Sequence, residues 1–202
     1  MAAHGSALAS DKLNLEKINF LVVDDNPQCL DIMGQVISGF GARSVVKCSS
    51  AAQAREVLQR SVIDFILTDA QMPGEDGYQL IEWVRRHASE ANRFVPAIVI
   101  TGHTRLSQVA RSRDCGAHFT IAKPITPKVV LQRIFWVGRD ERMFIDSEAY
   151  CGPDRRFKRE GPPPGMTGRR AEDLDTEVGE ASGPNMSQEM INSLMKPSKV
   201  SL

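Results

Sequence analysis

The sequence contains no CxxC pair: its four cysteines, Cys29, Cys48, Cys115 and Cys151, are scattered along the chain. That spacing argues against a zinc site or a dithiol redox motif and fits reduced thiols in a cytosol. Long hydrophobic runs are missing as well. No stretch approaches the roughly 18 apolar residues of a membrane span, and the opening MAAHGSALASDKLNLEK has no basic segment leading into a long apolar one. A soluble, cytoplasmic, non-secreted protein is therefore expected, with no membrane partner. Excess charge of either sign is a third absence. Lys plus Arg number 25 and Asp plus Glu number 25, so no overall field draws the chain toward nucleic acid or an anionic surface. What is there is a chain of 202 residues, enough for one domain with a sizeable core and an extension.

From residue 18 short apolar runs alternate with longer amphipathic segments, the pattern of βαβ units around a parallel sheet. Five strands are predicted, at 18 to 23, 43 to 48, 64 to 68, 97 to 101 and 119 to 122, each short and rich in β-branched or aromatic residues. A helix follows each. The first takes Asn26 as N-cap and Pro27 as first helical residue, places Leu30, Met33, Val36, Ile37 and Phe40 at helical spacing, and stops at Gly41. The last reuses that device with Thr126 and Pro127, and residues 50 to 60, 76 to 88 and 105 to 114 supply the three between them. Trp83 and Phe94 are expected in core or edge packing.

This divides the chain into a flexible start at 1–16, a domain at 17–140 and a tail at 141–202. Residues 152 to 170 are rich in Gly, Pro and Arg, residues 171 to 183 are acidic, and neither stretch has the periodicity of a core. The tail is expected to be largely irregular except at 185–195. There NMSQEMINSLM opens with an Asn-x-x-Gln cap and puts Met186, Met190, Ile191, Leu194 and Met195 on one face, a short docking helix.

In an open parallel sheet ligands bind outside the carboxyl ends of the strands. In this sequence strand one ends in Asp24-Asp25, strand three in Asp69, strand four in Thr101-Gly102 and strand five in Lys123-Pro124. Three carboxylates in one small cleft repel one another, and without a cation one of them would be driven to protonate. Magnesium resolves this, because it takes one or a few carboxylates and keeps positions for water and a phosphoryl oxygen. Asp69 then has the setting of a nucleophile able to become an aspartyl phosphate, with Lys123 as a second counter-charge. Each strand end has a bland reading as a solvated turn; the conjunction of four complementary ends favours a site.

The segments VVDDN, ILTDAQMPGEDGY, IVITGHT and CGAHFTIAKPI, in this order and spacing, resemble the receiver domain of two-component response regulators, such as the chemotaxis receivers. The likeness covers residues 18 to about 138. It implies a flavodoxin-like, doubly wound α/β fold with strand order 2-1-3-4-5, and phosphorylation of Asp69 from a histidine kinase or phosphotransfer protein. It also implies magnesium held by Asp24, Asp25, Asp69 and the Gln71 main-chain carbonyl, Thr101 switching toward the phosphoryl group, Lys123 pairing with it, and a cis Lys123-Pro124 bond. One departure stands out. The aromatic residue that the family usually places three positions before the lysine is replaced by Thr120, with Phe119 one residue earlier, so the readout of the phosphorylated state is expected to differ. His103 borders the site, and an exposed loop position suffices to explain it.

The tail shows no helix-turn-helix pattern, so no DNA-binding output is expected. The expected protein is not an enzyme beyond promoting its own phosphorylation and dephosphorylation, and acts as a phosphorylation-gated interaction switch whose protein target is reached through the tail. Three other readings exist. Arg155-Arg156 and Arg169-Arg170, with an Arg-x-x-x-Arg spacing at Arg155 and Arg159, suit a cyclic dinucleotide. An aspartyl-nucleophile phosphatase would need a DxDx-Thr loop that VVDDNP lacks. A pseudo-receiver that never takes phosphate sits poorly with a complete set of side chains.

Overall fold

The computed structural model describes residues 14–155 together with Ser187, Gln188, Met190 and Ile191. Strands β1 (Asn19–Val23), β2 (Ser44–Cys48), β3 (Phe65–Asp69), β4 (Ala97–Thr101) and β5 (Phe119–Ala122) form one sheet in the order β2-β1-β3-β4-β5, all parallel. Helices α1 (Pro27–Gly39), α2 (Ala51–Arg60), α3 (Gly77–His87), α4 (Glu90–Arg93), α5 (Leu106–Asp114) and α6 (Pro127–Val137) lie between and after them. This is the doubly wound order expected from the sequence.

Alternation along each strand divides the core. Phe20, Val22, Phe65, Leu67, Ile98, Ile100, Phe119 and Ile121 pack with Leu30, Met33 and Ile37 of α1 and Val130, Ile134 and Val137 of α6. On the other face Leu21, Val23, Ile66, Ala97 and Val99 pack with Ala54 and Leu58 of α2 and Leu80, Ile81 and Val84 of α3. The inner strands β3 and β4 are buried along their whole length, which is why they read as unbroken apolar runs.

Local chemistry sets the helix ends. Asn26 Oδ1 accepts from the amides of Gln28 and Cys29, and Gly41 adopts φ +97 beyond the end of α1, a left-handed conformation natural to glycine. Asp76 and Gln79 form a reciprocal capping box on α3, and Thr126 Oγ1 caps α6 by accepting from Val129 N. The short α4 carries no sequence signal of its own. It forms around buried Asn92, whose amide donates to the Leu58 and Ser61 carbonyls and accepts from Ile63 N.

Where the sequence suggests a tail from 141 onward, residues 140 to 155 pack against the domain. Strands β6 (Phe144–Asp146) and β7 (Cys151–Pro153) form an antiparallel hairpin. Arg86 donates to the Ser147 and Glu148 carbonyls, Arg93 pairs with Asp146, and Phe144 meets Phe94 edge-on at 4.9 Å. Gly116 permits the close approach, since a Cβ there would lie 2.3 Å from the Cys151 carbonyl oxygen. These partners precede β4 and β5, so the hairpin covers the amino ends of the strands, opposite the acidic edge. Three-residue strands anchored by long-range arginine contacts leave no periodicity to read. Residues 156 to 186 of the Arg-rich and acidic stretches lie outside the described residues.

Candidate functional site

The sheet register brings the strand ends to one level. Val23 pairs with Thr68, Asp69 with Ile100, and Thr101 with Ala122, so Asp24, Asp69, Thr101 and Lys123 emerge side by side. Carboxylate oxygens of Asp24, Asp25 and Asp69 all lie within 4.8 Å of one another. Asp24 and Asp69 are buried, while Asp25 reaches solvent.

Each group is held by a specific contact. Asp69 Oδ1 is 2.6 Å from Lys123 Nζ, and Asp69 Oδ2 accepts from the Gln71 amide at 3.0 Å. Asp24 Oδ2 lies 3.4 Å from the same ammonium, and Asp24 Oδ1 accepts from Asn26 N at 2.9 Å. The Lys123-Pro124 bond is cis. Gly77 allows α3 to start directly against the phosphoacceptor candidate's backbone, because a Cβ there would stand 1.9 Å from the Asp69 carbonyl oxygen.

Burial lifts Asp69 above its ordinary value, and the hydrogen bond and charge of Lys123 only partly oppose that rise. Burial pulls Lys123 down, but Asp69 and Asp24 outweigh it and hold the amine above its ordinary value. The two shifts share a sign because the carboxylate is much more deeply buried than the amine, with side-chain exposures of 7% and 31%. Lys123 thus stays cationic, whereas Asp69 is a carboxylate short of counter-charge. Three carboxylates against one ammonium is an all-oxygen donor set that fits a hard divalent cation.

The remaining predicted residues take different places. Thr101 is buried at the same edge, with its hydroxyl donating to the His103 carbonyl and accepting from the His103 amide, both at 3.0 Å. His103 is exposed and meets Thr101 through its backbone. Gln71 meets Asp69 through its main-chain N–H, and its side chain is exposed. Thr120 is fully buried and donates to Ser112 Oγ on α5 at 2.7 Å, a fixed polar link where a mobile ring is usual in the family.

Two neighbours carry no sequence signal. The Cys29 thiol is pushed up, first by burial and then by Asp24, so it remains protonated next to the acidic cluster. Tyr78 is 2% exposed, its ring lies under the Arg111 guanidinium at 4.6 Å, and its hydroxyl completes no hydrogen bond although Thr101 is near. Burial pushes this phenol up to about 12. The packing of α1 and α3 against the sheet, not local pattern, puts both beside the site.

Of the arginines considered for a cyclic dinucleotide, Arg155 pairs with Asp114 at 3.2 Å and covers the Tyr150 ring at 3.6 Å. Arg156, Arg159, Arg169 and Arg170 lie outside the described residues. No helix among the described residues is long and apolar enough to cross a membrane.

Residues 20–135 match the response regulator receiver domain family. The chain is 31% identical over 141 residues to the sensor protein GacS of Pseudomonas syringae pv. syringae, covering 66% of this chain and 15% of that protein. It therefore spans only a small part of that sensor. It is 26% identical over 117 residues to the chemotaxis protein CheY of Pseudomonas aeruginosa, covering 58% of this chain and 93% of that one. Among solved structures, the chemotaxis response regulator CheY4 of Vibrio cholerae superposes with a TM-score of 0.55 at 22% identity, over 59% of this chain and 98% of that one. A putative response regulator from Chloroflexus aurantiacus gives 0.56 at 25% identity, over 61% and 100%.

Proposed function

The chain belongs to the response regulator receiver family, and from that premise we propose that it is a phosphoacceptor switch in a two-component phosphorelay, phosphorylated on Asp69 with the help of Mg2+. The observation that carries this reading is the buried Asp69 carboxylate, 2.6 Å from Lys123 and clustered with Asp24 and Asp25.

A carboxylate oxygen of Asp69 attacks the phosphorus of a phosphohistidine. The N–P bond breaks with its electron pair left on the imidazole, and an acyl phosphate forms on Asp69. Asp24, Asp25, Asp69 and the Gln71 carbonyl would hold the Mg2+, which supplies the positive charge that lets an anionic nucleophile approach an anionic phosphoryl group. Lys123 neutralises a phosphoryl oxygen from the other side, and Gln71 N–H orients the attacking carboxylate. Donors are a histidine kinase or phosphotransfer protein, and the output is a changed protein-interaction surface in a bacterial cytoplasm. Turnover of external substrates is not part of this function.

Phosphorylation adds a charge of about −1.5 to −2 at this strand end, which biases an existing equilibrium between two forms. Intact-mass measurement after incubation with acetyl phosphate and Mg2+ tests the reading. One added phosphoryl group in the wild type, absent in Asp69→Asn or without metal, is expected. A gain that survives Asp69→Asn would assign the chemistry elsewhere.

A further inference from the structure

An edge strand presents main-chain groups that must be covered, paired or left to water. Strand β5 is such an edge, and one side chain takes two of its groups. The Ala122 amide donates to Gln188 Oε1 at 2.5 Å, and Gln188 Nε2 donates to the Thr120 carbonyl at 3.3 Å. These are the donor and acceptor flanking Ile121 that a sixth parallel strand would use, so the primary amide of Gln188 imitates the N–H and C=O of one residue of that strand.

One helical turn further on, Ile191 is fully buried in the cluster that contains Phe119, Ile121, Val130 and Ile134. The turn between the anchors is closed by Ser187, whose Oγ accepts from Met190 N and whose carbonyl accepts from Ile191 N. The side-chain amide of Gln188 is thus engaged with β5, and Asn185, the other half of the expected Asn-x-x-Gln cap, lies outside the described residues. Met190 points away from the core at 54% exposure, and Met186, Leu194 and Met195 lie outside the described residues.

The two residues gripped by Gln188 are placed to sense the site. Ala122 is bonded directly to Lys123, which contacts Asp69 at 2.6 Å, and Thr120 is tied through its hydroxyl to Ser112 of α5. We propose that the β5 edge is a protein-docking surface occupied in cis by the Gln188–Ile191 turn of this same chain, and that phosphorylation of Asp69 weakens this clamp and exchanges the turn for a partner. The gating half of the proposal rests on the phosphoacceptor reading; the docking half stands on the contacts alone. By linkage, a turn that favours the unphosphorylated form must also oppose phosphorylation.

Hydrogen exchange on the full chain tests the docking. In Gln188→Ala and in Ile191→Asp, amide exchange across 119–122 is expected to rise about tenfold or more, the factor that goes with losing one or two hydrogen bonds. Strands β1 and β3 should keep wild-type protection. Unchanged exchange at 119–122 in both variants overturns the docking, and a general loss of protection in Ile191→Asp is resolved by Gln188→Ala, which removes no core side chain. Exchange repeated after incubation with acetyl phosphate and Mg2+, with phosphoryl gain followed by intact mass in the wild type and both variants, tests the gating: phosphorylated wild type should exchange several-fold faster across 119–122 than unphosphorylated wild type, while the two variants change little. Equal exchange in phosphorylated and unphosphorylated wild type overturns the gating. No phosphoryl gain in any of the three proteins overturns the phosphoacceptor reading and the gating with it, while exchange at β5 still decides the docking.

Discussion

The Thr120 hydroxyl donates to Ser112 Oγ at 2.7 Å, and both residues are fully buried. This bond fastens β5 to α5 at the position where an aromatic ring is usual in receivers, so these two elements are coupled by a short polar link. Thr120→Val removes the donor and strands the serine hydroxyl. A loss of about 1 to 2 kcal/mol is expected, read as a lower urea midpoint, with phosphoryl gain at Asp69 unchanged because Thr120 does not touch the acidic cluster.

The acidic cluster should respond to metal. Mg2+ binding to the native state alone raises stability by roughly 2.7 kcal/mol at 100 times the dissociation constant. Thermal melts are expected to show this rise for the wild type, and a much smaller one for Asp25→Asn and Asp69→Asn. Equal rises in all three would place the ion away from Asp24, Asp25 and Asp69.

Without metal, Asp69 is a liability. Its folded value is raised above the ordinary 3.8, first by burial, so the native state holds this proton more tightly than the unfolded chain. The stabilising contribution is complete below 3.8 and is lost as pH rises through the folded value. Asp69→Asn is therefore expected to melt higher than the wild type at neutral pH in chelator, with the gap closing as pH falls toward 3.8. A lower melt for the variant at neutral pH would mean that the Lys123 pairing outweighs burial.

His118 works in the opposite sense. Burial, then the charges of Arg85 and Arg142, depress its value well below 6.5, and Nδ1 accepts from Ala97 N at 3.2 Å. The unfolded chain takes the proton first, so stability is complete above 6.5 and declines as pH falls from there toward the folded value. The limiting slope is about 1.4 kcal/mol per pH unit. Urea midpoints at neutral pH and near pH 5 should therefore separate more for the wild type than for His118→Gln.

Arg85 anchors the amino-end side of the molecule. It is 1% exposed and donates to the carbonyls of Gly116, Arg93 and Val95. Arg85→Met removes the guanidinium donors from three carbonyls, those of Gly116 and Val95 in buried hydrogen bonds, and loosens the seat of Phe144, whose ring lies 5.3 Å from the guanidinium. A loss of about 3 to 5 kcal/mol is expected from denaturant titration.

Several features were legible in the chain because local rules govern them. Asn26-Pro27 and Thr126-Pro127 announce helix starts through backbone chemistry, and unbroken apolar runs announce β3 and β4 because both faces are buried. The acidic pair, Asp69 and Lys123 were visible as strand ends, since any parallel sheet presents its carboxyl ends along one edge. Other features depend on residues far apart in sequence. Asn92 forms α4 only because the Leu58, Ser61 and Ile63 backbone groups meet it, and β6 and β7 exist only against Arg86, Arg93 and Phe94. Nothing in the spacing of Gln188 announces that the open backbone groups of β5 take its side-chain amide. The sequence by itself determined the sheet, its helices and the acidic edge, because periodicity and caps act within a few residues. Tertiary structure alone decided what closes the two exposed ends of that sheet, because unpaired backbone groups and buried arginines take whichever partner the fold brings within hydrogen-bonding reach.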